Sequence, residues 1–139
     1  MKKLLLLAPL FFLIACKKSS SSNSQNQTVS PEVAKVVGLF YITSFVDGAT
    51  GQSYVYTPQN SPGTITVTKT DATHFHFVLT ETSSTSSADY VFYQITGDGY
   101  VHFNEVSGKN TARYVNSVGG LTIESTTTPY TSLVALRNP

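Results

Sequence analysis

Tryptophan is absent from the 139 residues, cysteine occurs once, at position 16, and Asp, Glu, Lys and Arg together make up only 12%. A lone cysteine excludes an intrachain disulfide, so the fold must be held by packing alone. The longest uncharged apolar run, Leu4 to Ala15, is twelve residues and contains Pro9. A membrane-spanning helix needs roughly 20 residues, so this run is too short to span stably. No G-x-S-x-G sequence occurs, which removes the strand–turn–helix elbow that presents a hydrolase serine. Beyond residue 35 no 3.6-residue apolar periodicity persists, so the body of the chain is not built from amphipathic helices.

What is present begins with an address. Lys2 and Lys3 precede the apolar run, and small residues close it, as in a cleavable export signal. Its end, Leu13-Ile14-Ala15-Cys16, resembles the lipobox of bacterial lipoproteins. The resemblance implies cleavage before Cys16, a diacylglycerol on its thiol, and a fatty acyl chain such as palmitate on the new amino group. Two or more acyl chains anchor stably, at ~0.8 kcal/mol per buried CH₂. With Cys16 lipidated, the mature domain has no thiol for a metal site or a nucleophile. Residues 17–30, KKSSSSNSQNQTVS, contain one aliphatic residue and no aromatic, too little apolar surface to order. As a coil they span roughly 20 Å. Lys17 and Lys18 either meet anionic headgroups or simply solubilise the tether. The absence of an acidic cluster after Cys16 speaks against an acidic surface-export signal.

The remaining 110 or so residues suit one domain with one modest core. Four of the nine basic residues (Lys2, Lys3, Lys17, Lys18) precede residue 30, leaving five against all eight acids, a domain charge of about −3. That argues against nucleic acid or an anionic surface as the domain's partner. Hydroxyl side chains fill most polar positions, and Thr, Tyr, Phe and Val favour strands.

Ser30-Pro31-Glu32 is a helix start, with a capping serine and a proline at the first helical position, opening about one turn through Lys35. Period two then takes over. Strands are predicted at 36–46, 53–56, 63–70, 74–82, 89–96, 100–106, 111–118, 121–126 and 131–137, with SSTSSA (83–88) as a polar loop and Gly97-Asp98-Gly99 as a tight hairpin. Eight or nine short strands at this spacing indicate a sandwich or a barrel. Short connections favour an antiparallel meander, and closing it removes exposed edges. The expectation is an up-and-down barrel, with an open sandwich as the rival.

The succession is similar to the lipocalin-like domains of small bacterial lipoproteins. A helical turn leads into a first strand holding Gly38-Leu39-Phe40, which looks like the lipocalin G-x-W with Phe for Trp, and the chain ends near Arg137. The resemblance implies that Gly38, Phe40 and Arg137 close one end of the barrel, the cation lying over the ring.

Chemistry beyond this is sparse. His74 and His76 share a strand face, and His102 lies on a later strand; a meander puts it two strands away, roughly 9–10 Å, so no metal site is expected. Glu105 shares parity with Val101 and Phe103, and either points inward at a mouth to meet Arg113 or a ligand, or faces water. Phe75, Phe77, Phe92, Phe103 and Tyr114 recur on strands at positions expected to face one interior. Either they fill a closed core, or they line a pocket for an apolar ligand; an eight-stranded barrel has room for side chains or one small ligand.

These readings predict an all-β chain in three parts: a lipoprotein signal peptide at 1–15, lipidated Cys16 with a flexible linker at 16–30, and an eight- or nine-stranded lipocalin-like barrel at 31–139. The expected role is non-covalent binding of a small hydrophobic ligand, without catalysis, cofactor or metal. The alternative is a filled barrel acting as a structural or protein-interaction module through outward residues such as Tyr93, Tyr100 and His102. The expected location is the bacterial cell envelope, with Cys16 anchored on the periplasmic side of the outer membrane.

Overall fold

The computed structural model describes residues 30–137; the predicted signal peptide, Cys16 and the linker up to residue 29 lie outside the described residues. Helix α1 (Pro31–Ala34) is one turn long, and Ser30 Oγ accepts from the Glu32 backbone N–H at 3.3 Å. The strands follow as β1 (Gly38–Asp47), β2 (Gln52–Val55), β3 (Gly63–Lys69), β4 (His74–Glu81), β5 (Thr85–Ile95), β6 (Tyr100–Glu105), β7 (Asn110–Val115), β8 (Gly120–Ser125) and β9 (Ser132–Leu136).

All pairings are antiparallel, and β9 returns to pair with β1, closing the sheet. The staves are β1 and β3 to β9, eight in all, so the fold is the predicted antiparallel barrel with one extra strand. That extra strand is β2. It pairs only with the far half of β1, Ser44 to Asp47, while β3 pairs with the near half, Gly38 to Tyr41. A 3-10 turn at Pro58–Asn60 carries the chain back between them.

The SSTSSA segment departs from expectation. Residues 85–88 are strand, pairing with Phe77 to Thr80. Short hydroxyl side chains resemble a loop in composition, but a neighbouring strand with free backbone donors and acceptors recruits them into its ladder.

The barrel has two unlike ends. At one, Val33 and Val36 close over Phe40, Val67, Phe75, Phe103 and Tyr114, all buried in one cluster. Edge-to-face pairs hold this half: Phe75 and Phe103 at 5.1 Å between ring centres, Phe40 and Tyr114 at 5.9 Å. Arg137 lies over it, 5.0 Å from the Phe40 ring centre and 5.8 Å from that of Tyr114. Its Nη2 donates to the Val37 carbonyl at 2.7 Å and to the Lys35 carbonyl. Gly38 sits beneath at φ +146°, where a Cβ would come within 3.3 Å of Nη2, so a side chain there would be strained and would push the guanidinium away.

Candidate functional site

The other half of the barrel is not filled. Side chains opposite one another across an antiparallel pair share a face. On β4 and β5 the inward pairs are Phe75 with Tyr90, Phe77 with Ala88 and Leu79 with Ser86. Towards the far end, large residues therefore stand beside small ones on this wall. The space left is a cavity of about 340 Å³, opening at the end away from Arg137.

Its apolar wall includes Phe45, Ile65, Phe77, Leu79, Tyr90 and Leu133, and Ile123 adds to it. Phe77 stacks on Tyr90 at 4.3 Å between centres, and these two rings form the floor; beneath them Phe77 meets the buried Phe103 edge-on at 5.9 Å. Phe45 reaches the cavity because of a bulge. The β1–β9 register shifts between Ile42 and Ser44, so Phe45 instead of Ser44 or Val46 stands opposite Leu133 on the wall.

Polar groups gather at the rim. Glu105 and Asn110 face in from the ends of β6 and β7, with Ser86, Ser125 and Ser132 around them. The Asn110 side-chain amide donates to Glu105 Oε2 and the Ser107 hydroxyl to Oε1, each at 2.5 Å. Arg113, the expected alternative partner, does not meet Glu105. On β7 the residues Ala112 and Tyr114 are buried, so Arg113 points out and stacks over Tyr100 at 5.1 Å. Glu105 stands opposite Tyr90 across β5 and β6. Burial, reinforced by the Glu105 charge, pushes the Tyr90 phenol above its ordinary value, keeping it a neutral hydroxyl at physiological pH.

The five aromatic candidates divide between the halves. Phe77 lines the cavity. Phe75, Phe103 and Tyr114 are buried in the packed half, and Phe92 is half-buried, 6.1 Å from Phe103. Gly38, Phe40 and Arg137 come together at the closed end. Tyr90 carries the same parity signal as Phe92, but sequence reasoning passed over it. Phe45 is hidden by the bulge, which period-two alternation does not register.

The histidines stay apart. His74 pairs with Asp71 at 2.8 Å and His76 with Asp89 at 2.7 Å on the outer wall. His102 is two strands from His76 and lies beside Tyr93 and Tyr100. Among the described residues no three His, Cys, Asp or Glu side chains are grouped to hold a metal ion. The Asp71 carboxylate accepts from the Thr73 backbone, the His74 ring and the His74 backbone, and these bonds hold it down at about 2.

No family model matches the chain, and no curated protein matches it. Among solved structures, the chain is similar to a crystal structure of a point mutant of the fluorescent protein UnaG, with a TM-score of 0.45 and 14% identity. That similarity covers 77% of this chain and 99% of the other. At that identity and score the likeness assigns no site and no activity to this protein.

Proposed function

We propose that this protein is a lipid-anchored component of the bacterial cell envelope that holds a small hydrophobic molecule non-covalently in its barrel, without catalysing a reaction. The observation that carries the ligand reading is the cavity of about 340 Å³ with its apolar floor and polar rim. Its volume lies within the ~300–1,000 Å³ of small-molecule sites. A barrel serving only as a scaffold would be packed throughout, as the Phe40–Arg137 half is. The binder reading is favoured over an enzyme because among the described residues Glu105 is the one charged group on the cavity wall, and the Tyr90 phenol on the same wall is held protonated. Acid–base catalysis calls for a second group poised to titrate.

The anchor rests on Leu13-Ile14-Ala15-Cys16 and the serine-rich stretch after it. The described chain starts with α1 at the closed end, so a tether there would turn the cavity mouth away from the membrane. Residence on the periplasmic side of the outer membrane is the location proposed with that anchor.

Native mass spectrometry after exposure to an envelope lipid extract tests the ligand reading. A co-purifying mass of a few hundred daltons is expected, and an unliganded protein throughout would end it. Detergent-phase partitioning of wild type against Cys16→Ser tests the anchor, and equal partitioning would remove it. A second reading, a protein-interaction module, is favoured by one outer-wall cluster: Tyr93, 51% exposed, lies 5.9 Å from His102, beside Tyr100 and Arg113. Pull-down of envelope proteins with Tyr93→Ser would separate the two, since unchanged partners count against the module.

A further inference from the structure

Glu105 occupies an unusual place for a carboxylate. It projects from the end of β6 into the cavity, level with Tyr90, where the apolar wall gives way to the rim. Its two oxygens accept from Ser107 and Asn110. Both donors are neutral, so they orient the carboxylate without cancelling its charge. Among the described residues Glu105 has no ion-pair partner, and no Lys, Arg or His lines the cavity. A carboxylate offers about four acceptor sites, so capacity remains on the cavity side.

The surroundings add to this charge. Strand ends and loops at the mouth carry Asp47, Glu81, Glu105 and Glu124 against Lys109, a surplus of three negative charges among the described residues. At the opposite end Lys35, Lys69 and Arg137 are balanced by Glu32, Asp71 and Asp98, so the surplus belongs to the mouth. A cleft of one sign with low-dielectric walls focuses its field on the opening and raises the local concentration of counter-ions.

We infer that the cavity selects a hydrophobic molecule with a cationic head, an alkylamine-type amphiphile whose ammonium pairs with Glu105 while its chain lies on Phe77, Leu79 and Leu133. The inference rests on the cavity being a ligand site. A fatty-acid carboxylate in the same pose would bring a second negative charge within a few ångströms of Glu105 in a partly dehydrated space. That repulsion is strong where water is scarce. A neutral alcohol of equal length gains the apolar contacts and neither the attraction nor the repulsion. Tyr90, the cross-strand neighbour of Glu105, keeps a neutral hydroxyl for any of the three heads.

The test is calorimetric titration of the full-length chain carrying Cys16→Ser, which avoids detergent in the cavity, with dodecylamine, 1-dodecanol and dodecanoate at low ionic strength. The amine is expected to bind about tenfold or more tighter than dodecanoate, with the alcohol between them. In Glu105→Gln the ratio of amine to dodecanoate affinity should fall to within about threefold, while a far-UV circular dichroism spectrum and urea midpoint matching wild type report an intact barrel. Dodecanoate binding as tightly as the amine, or a ratio untouched by Glu105→Gln, would overturn the cationic preference and leave the hydrophobic-ligand reading standing. Binding of none of the three would overturn both.

Discussion

The guanidinium of Arg137 lies 5.0 Å from the centre of the Phe40 ring and donates to the carbonyls of Lys35 and Val37. One side chain thus joins the end of the last strand to the segment that enters the first. Arg137→Ala removes a cation over a ring, worth ~0.5–2 kcal/mol, and leaves two backbone carbonyls without their donor. Urea unfolding should show a loss of about 2 kcal/mol, with Arg137→Lys recovering only part of it. A loss below about 0.5 kcal/mol would mean that the closed end does not depend on this contact.

Ala88 lies beside Phe77 on the neighbouring strand of the cavity wall, and its small size keeps the space open. Ala88→Leu should fill part of that space and weaken binding of 1-dodecanol about tenfold. Urea stability should change by less than about 1.5 kcal/mol, because the new side chain enters a void instead of a packed core. Unchanged affinity would place the ligand elsewhere.

Phe103 touches Phe75, Phe77 and Phe92 with ring centres 5.1 to 6.1 Å apart and is fully buried. Phe103→Ala should therefore cost about 3–5 kcal/mol in urea unfolding. Phe92→Ala, at a half-buried ring touching the same hub, should cost less than half of that. Equal losses would contradict the placement of the core.

Asp71 supplies part of the pH dependence, beside Glu32, Asp47 and Asp98, whose carboxyls hydrogen bonds also lower. The Asp71 carboxyl is held at about 2, against an ordinary value of 3.8, first by the Thr73 backbone N–H and then by the His74 ring. A carboxyl lowered by folding contributes stability that is present above its unfolded value and lost as pH falls through its folded value. The loss should run from near pH 4 down to about pH 2. Urea midpoints measured across that window should fall less steeply for Asp71→Asn than for wild type; parallel slopes would show that the turn does not hold the ionised form.

The strand succession was legible because a strand with one buried face must alternate, and Ile65, Val67, Phe75, Phe77, Val101 and Phe103 do so without interruption. All six are buried. Ser30 and Pro31 marked the helical turn for an equally local reason, since a cap acts within one turn of the backbone. The cavity was much less legible. Of the five aromatic candidates only Phe77 lines it, because parity reports which face a residue is on and says nothing of how far along the barrel it sits. Residues 85–88 read as loop by composition and became strand because β4 offered them a partner.

By itself the sequence determined the period-two pattern, the turns, the closing strand with Arg137 near its end, and a domain short of positive charge. All of these are local or additive properties of the chain. Tertiary structure alone decided that β3 and not β2 continues the barrel, that a bulge after Ile42 turns Phe45 onto the cavity wall, and that Ser86 and Ala88 fall opposite Leu79 and Phe77. Each depends on the register between segments, and a space between side chains exists only once the segments are paired. Glu105 has both kinds of origin: its parity pointed inward, but the turning of Arg113 to the outer wall left its charge without an ion-pair partner among the described residues.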